Sequence, residues 1–300
     1  MTAWPIAFAD VEAARERQRP HLPKTPLRSY AALDEAVGSG LHVLVKHENF
    51  QPTGAFKVRN GVSALTALPP ERLERGVVAA TRGNHGLGLA WAGRLLGAPV
   101  TVCVPVGNSP EKNAAVVGLG ARLVEEGRDY DESVAAAERF VREEGLHLVH
   151  STNDATVVAG AGTLTLEMLE EEPGIEALVF SVGGGSQAVG GLTVARALRP
   201  GLPVYAVQAA GACAIHDAWH LGRPVSKPSA NTFADGLATR NTYPFTFGAL
   251  REGLAGFVTV TDAEIAEAVR LVLSTTHTLV EGAGAAGLAG LLKLRDALAG

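Results

Sequence analysis

Short apolar runs alternate along this chain with longer stretches in which apolar positions return every three or four residues. The short runs fall at 41–46, 77–81, 100–104, 121–124, 146–149, 177–182, 204–208 and 256–260. The longer, helix-spaced stretches fall at 58–68, 87–96, 130–144, 155–170, 189–198, 263–273 and 285–298. Uninterrupted apolar runs are the mark of strands buried on both faces, and a 3.6-residue repeat is the mark of an amphipathic helix. Their alternation predicts an α/β protein with parallel or mostly parallel sheets and helices on both faces. Gly97-Ala98-Pro99 and Arg199-Pro200-Gly201-Leu202-Pro203 punctuate two helix ends. No internal repeat or low-complexity tract is present, and the pattern alone sets no domain boundary.

Three junctions between these stretches carry chemistry. In the first, Gln51-Pro52-Thr53-Gly54-Ala55-Phe56-Lys57, a Pro- and Gly-broken loop delivers an aromatic and a lysine to the start of a helix whose Val58, Val62 and Leu65 share one side. The positive end of that helix opposes a cation, and partial burial would favour neutral amine. A neutral amine is what a carbonyl cofactor requires of a Schiff-base lysine; a solvated surface lysine is the ordinary alternative. In the second, Thr81-Arg82-Gly83-Asn84-His85, a buried strand gives way to a glycine turn and a helix, a junction that offers unpaired backbone N–H groups to a carboxylate. Asn and Gly also mark ordinary turns. In the third, Gly183-Gly184-Gly185-Ser186 again follows an apolar strand and opens a helix. Consecutive glycines let backbone wrap an anion, and a helix start favours phosphate. The loop lacks the Gly-Lys-Ser/Thr of a Walker loop and the spacing of G-x-G-x-x-G; a flexible loop is its plain alternative.

Composition narrows the class. Three hundred residues, 47% of them hydrophobic, can bury a core in one large domain or two of typical size. A net charge of −5, with no basic run, argues against nucleic acid. No uncharged run long enough for a membrane span occurs, and Asp10 and Glu12 stand close behind the start, unlike a signal peptide. Cys103 and Cys213 lie far apart in apolar stretches; free thiols of a cytoplasmic protein are the expectation, with a pair left open.

Taken together and in order, the lysine loop, the Gly-Asn-His turn and the glycine loop resemble the pyridoxal-phosphate enzymes of the tryptophan synthase β-like fold (fold type II), and within them the serine/threonine dehydratase branch. Thr25-Pro26-Leu27, Pro110-Glu111-Lys112, Leu119-Gly120-Ala121, Ala234-Asp235-Gly236-Leu237-Ala238 and Val280-Glu281-Gly282-Ala283 resemble further motifs of that branch, so the likeness runs along almost the whole chain. It implies a two-domain fold: a large cofactor-binding domain from residues 1–74 and 151–300, with a small domain, 75–150, inserted. It implies pyridoxal 5′-phosphate as cofactor, a small amino acid as substrate and a cytoplasmic homodimer. The implied reaction is a dehydratase (ammonia-lyase) β-elimination of a threonine- or serine-like substrate to a 2-oxo acid and ammonia. β-Replacement, racemisation, or a non-catalytic phosphate-ligand protein are the rivals.

The resemblance also implies roles. Lys57 would hold the cofactor and act as base, Phe56 would pack on its ring, and Asn84 would donate to its phenolic oxygen. Gly183, Gly184, Gly185 and Ser186 would bind the phosphate, with Gly236 and Glu281 lining the cofactor. Thr81, Arg82, Gly83, Asn84 and His85 would surround the substrate carboxylate. A core phenylalanine, a turn-capping asparagine and a structural histidine stay open as alternatives for Phe56, Asn84 and His85.

Three departures matter. Serine racemase has a serine where Arg82 stands, and a guanidinium is a poor proton shuttle, so racemisation is not expected. Relatives with a divalent cation use carboxylates where Gln208, Ala212 and Ala214 stand, so no metal is expected. The Ser or Cys that faces the pyridine nitrogen in relatives would follow Gly300; either the nitrogen is served otherwise or the sequence continues. Feedback control through an appended regulatory domain is not expected.

Overall fold

A computed structural model of the protein describes residues 4–299. Its contacts divide into two compact units: one is the stretch ending at Pro5 with Thr25–His47 and everything from Leu164 onward, the other is Ile6–Lys24 with Glu48–Thr163.

The second unit is built on a four-stranded, all-parallel sheet. Its strands are β3 (Val77–Ala80), β4 (Val100–Val104), β5 (Arg122–Glu125) and β6 (His147–Leu148), in the order β5-β4-β3-β6, where β1 and β2 are the earlier strands Leu27–Ser29 and Leu44–Lys46. Val77 pairs with Val100 on one side and His147 on the other. β3 and β4 are buried along their whole length, which is why β3 reads as a continuous apolar run and β4 as one broken only by Thr101. One face packs on Val58, Val62, Leu65, Leu89 and Ala92 from two helices, Lys57–Thr66 and Asn84–Leu96. The other carries Ala136, Ala137 and Phe140 of the Tyr130–Glu144 helix.

The first unit holds the antiparallel pair β1–β2, with Leu27 opposite Lys46, and a parallel three-stranded sheet. That sheet runs β7 (Leu178–Ser181), β8 (Val204–Ala209), β9 (Gly256–Val260). Its core gathers Val207, Ala209, Val260, Ile265 and Ala268 with Ala285, Ala286 and Ala289 of the Gly282–Leu298 helix.

The α/β class and the parallel sheets agree with the hydrophobic pattern. The run at 41–46 is shorter and pairs antiparallel instead. Six helices that the pattern did not mark are present: Phe8–Gln18, Ala31–Val37, Pro70–Arg75, Pro110–Gly118, Ala214–Leu221 and Pro244–Gly253. Phe8–Gln18 buries only Val11, Ala14 and Gln18, so its apolar stripe is thin. Pro70, Pro110 and Pro244 open their helices, where a missing N–H costs nothing and the fixed φ suits the first turn. The helices marked from 87 and 189 begin earlier, at Asn84 and Ser186, because the polar residues of each junction already form the first turn.

Candidate active site

Lys57 is the first residue of its helix, with Phe56 at the N-cap. Two glycines fix where that helix lies. A Cβ on Gly61 would sit 2.4 Å from the Gly88 carbonyl oxygen, and one on Gly88 would sit 2.4 Å from that of Lys57. The Lys57 and Asn84 helices are therefore in backbone contact, which only glycine permits, and the first turns of both are held side by side. The half-buried Lys57 amine lies 5.0 Å from the Phe56 ring centroid and donates to the Ser151 carbonyl at 3.4 Å. Loss of hydration lowers its pKa to about 8, so near neutral pH an appreciable share of it is already neutral amine.

The strand–turn–helix junction follows β3 directly. Thr81 Oγ1 accepts from the Gly83 N–H at 2.9 Å, closing the turn, and Asn84 opens the helix. Lys112 lies across the turn: a Cβ on Gly83 would be 2.5 Å from Lys112 Cδ. Arg82 is half-buried and makes no hydrogen bond or ion pair among the described residues. The His85 ring is buried, and its Nε2 donates to the Val149 carbonyl at 3.0 Å. Burial first, and then the Lys57 charge, push its pKa down to about 3. The ring is thus a neutral structural group held by β6's continuation, and what His85 can offer a carboxylate is its backbone N–H.

The residues just past β6 complete this neighbourhood. His150 Nδ1 accepts from the Thr152 and Asn153 N–H groups at 3.0 and 2.9 Å, which pins the turn. Ser151 Oγ bonds to the Tyr130 hydroxyl at 2.9 Å. Burial raises Tyr130 to about 12, so its phenol stays protonated.

In the other unit the glycine loop leaves the carboxyl end of β7. The Thr239 hydroxyl donates to the Gly183 carbonyl at 3.1 Å and the Thr246 hydroxyl to that of Gly184 at 2.9 Å. With those carbonyls held, the N–H groups of Gly183, Gly184 and Gly185 have no partner among the described residues. Gly185 takes φ +98°, a left-handed conformation natural to glycine. A Cβ on Gly183 would be 2.5 Å from the Gly236 carbonyl oxygen, and one on Gly236 would be 3.9 Å from Glu281 Oε1. The structure therefore brings Gly183, Gly184, Gly185, Ser186, Gly236 and Glu281 together, and brings Lys57, Phe56, Thr81, Arg82, Gly83, Asn84 and His85 together.

Pattern reading missed Gly61, Gly88, Tyr130, Ser151, Thr239 and Thr246. All act on backbone or on one another across long sequence separations, and no local spacing marks them. Gln208, buried, accepts through Oε1 from the His216 N–H at 2.9 Å, and Ala212 and Ala214 are apolar. Among the described residues no group of three or more His, Cys, Asp or Glu side chains could hold a metal ion, and no helix is long and apolar enough to cross a membrane.

These residues suit pyridoxal phosphate on their own terms: unpartnered loop N–H groups at a helix start match a phosphate, and a desolvated lysine matches the aldehyde. The family described as pyridoxal-phosphate dependent enzyme matches residues 19–300. The chain is 37% identical over 290 residues to the L-threonine ammonia-lyase of Geobacter sulfurreducens, covering 97% of this chain and 72% of that protein. Among solved structures, a threonine deaminase from the organism abbreviated T.th. superposes with a TM-score of 0.91 at 33% identity, covering 97% of this chain and 94% of the other. Maize serine racemase superposes with a TM-score of 0.92 at 29% identity, covering 96% and 87%.

Proposed function

This chain belongs to the pyridoxal-phosphate-dependent enzymes, and from that premise we propose that it is an ammonia-lyase. It removes water from a small threonine- or serine-like β-hydroxy amino acid and releases a 2-oxo acid and ammonia. The observation that carries the reading is Lys57: a half-buried amine at a helix start, lowered to about 8 by lost hydration.

Bound pyridoxal phosphate supplies an aldehyde for the amino group and a ring that takes up the electron pair left at Cα. Lys57 holds the cofactor and, once free, takes the α-proton at Nζ, a task that a pKa near working pH serves. The N–H groups of Gly183, Gly184, Gly185 and Ser186 hold the phosphate. Gly236 and Glu281 line the cofactor, Phe56 packs on it, and Asn84 donates to it. Thr81, Arg82, Gly83, Asn84 and the His85 backbone receive the substrate carboxylate. A guanidinium is a poor proton shuttle, so Arg82 in this turn favours elimination over racemisation. The threonine-acting names of the relatives above support the substrate class.

The same reading divides the chain into a large domain (1–74 and 151–300) and an inserted small one (75–150). In its support, every strand of the four-stranded sheet lies between Val77 and Leu148. It also makes the protein a cytoplasmic homodimer; Cys103 and Cys213 are free thiols, as a reducing compartment requires.

One experiment tests the core of this. Borohydride reduction followed by peptide mapping is expected to find the cofactor on Lys57, and a panel of β-hydroxy amino acids is expected to yield 2-oxo acid from at least one. Label on another lysine, or a colourless protein, ends the reading.

A further inference from the structure

Between β6 and the Lys57 amine runs a short chain of contacts to which nothing above assigns a task. The Tyr130 hydroxyl bonds to Ser151 Oγ at 2.9 Å, and the carbonyl of the same Ser151 accepts from Lys57 Nζ at 3.4 Å. Tyr130 is the first residue of the Tyr130–Glu144 helix, whose N-terminus is fixed by the Asp129 side chain accepting from the Glu132 N–H at 3.0 Å. The helix is anchored on the sheet by Ala136, Ala137 and Phe140, so the phenol projects from a rigid base. We infer that Tyr130 is a positioning residue for Lys57: by holding the Ser151 hydroxyl it fixes the backbone carbonyl that orients the amine.

The geometry makes this economical. A donor–acceptor distance of 3.4 Å is at the long limit for N–H···O, so a displacement of a few tenths of an ångström at Ser151 breaks the contact. The turn carrying Ser151 is too short to have secondary structure of its own, and side chains restrain it: His150 through Nδ1, and Tyr130 through the Ser151 hydroxyl. His150 accepts at Nδ1 and is neutral in that state; burial, followed by opposing charge effects from Asp154 and Lys57, keeps its pKa low. It holds the turn's backbone, while the Ser151 hydroxyl pairs with Tyr130 at 2.9 Å and, at the longer distance of 3.5 Å, with Thr152 Oγ1. The phenol, raised to about 12, keeps its proton over the working range.

The consequence for Lys57 has a definite sign. A carbonyl stabilises an ammonium more than a neutral amine, so the Ser151 oxygen opposes the effect of burial. Releasing it removes that opposition and lowers the Lys57 pKa further. The other titratable groups facing Lys57 are His85 on the Asn84–Leu96 helix and His150 in the turn, and both stay neutral near pH 7 because burial depresses them.

The inference rests on the role of Lys57 given above, and its test separates the two. In the full-length chain freed of cofactor, the pH dependence of Lys57 acylation by trace acetic anhydride, read by peptide mass, gives the titration midpoint of that amine. Tyr130→Phe is expected to move the midpoint down by about one pH unit. Ser151→Ala is expected to do the same, the double variant no more than either alone, and Ser151→Thr to leave it in place. In the loaded enzyme, Tyr130→Phe is expected to lower kcat about ten-fold with KM nearly unchanged. A Tyr130→Phe midpoint equal to the parent's overturns the inference, whatever happens to thermal stability. So do effects of Tyr130→Phe and Ser151→Ala that simply add. Because the labelling reads Lys57 whether or not the cofactor is carried there, such a result leaves the lyase reading standing. Cofactor mapped to another lysine sinks the lyase reading but not the Tyr130–Ser151 restraint.

Discussion

His85 shows how one residue can belong to a functional motif and still be structural. Its ring is buried, bonded to the Val149 carbonyl, and depressed to about 3 by burial and by Lys57. The folded pKa lies below the unfolded value, so between about pH 6.5 and 3 the unfolded chain binds the proton and the folded chain does not. Stability is lost across that window as pH falls, with a slope of about 1.4 kcal/mol per pH unit from this group. His85→Gln is expected to flatten the acid limb of the stability curve by that slope, read from urea midpoints at successive pH values. An unchanged limb would mean that the ring can take a proton while folded. Lys57 has the same sign in a different window: between about pH 8 and 10.5 the unfolded lysine holds a proton that the folded one has released, so its burial penalty fades as pH rises.

Two elements owe their placement to contacts that tolerate no side chain or no lost hydroxyl. The Lys57 and Asn84 helices touch at Gly61 and Gly88, where an added Cβ would meet backbone at 2.4 Å. Backbone cannot swing aside as a long side chain can, so Gly88→Ala must part the helices. The expected cost is about 3 kcal/mol, at the upper end for overpacking, together with weaker cofactor binding as the Lys57 turn moves; chemical unfolding and cofactor titration read the two effects. A Gly88→Ala protein of parental stability would refute the close approach. The glycine loop depends on Thr246 in a milder way. Thr246→Val keeps the shape but leaves the Gly184 carbonyl without its donor. Loss of one such hydrogen bond, about 1 kcal/mol, is expected to weaken cofactor binding about five-fold in equilibrium titration, with the fold intact. Unaltered affinity would mean that the loop holds its shape unaided.

For the whole molecule, the cofactor is a ligand of the folded state alone, since the unfolded chain assembles neither the loop nor the desolvated amine. At a hundred times its Kd it should stabilise the protein by about 2.7 kcal/mol, which raises Tm by roughly 4 °C at this chain length. Calorimetry of cofactor-free and cofactor-loaded protein checks this. Lys57→Ala is expected to lose most of the increment, and a loaded protein that melts no later than the free one would contradict cofactor binding.

The sequence by itself determined the α/β class, the eight strand sites and the three loops of the candidate site. Strands buried on both faces are apolar at nearly every position, as β3 is throughout and β4 is but for Thr101, and glycine-rich turns at strand ends must carry their own special residues; both signals are local. It also determined that Lys57 begins a helix, because the Pro52 and Gly54 loop and the Val58, Val62, Leu65 stripe lie close together in the chain. Only the tertiary structure decided that the His85 ring is spent on Val149, that Gly61 and Gly88 bring two helices into backbone contact, and that Tyr130 reaches Ser151. It alone decided that Thr239 and Thr246 hold the carbonyls of a loop more than fifty residues earlier. Those outcomes join residues remote in the chain, where hydrogen-bond reach and steric fit are set by packing and no periodicity records them.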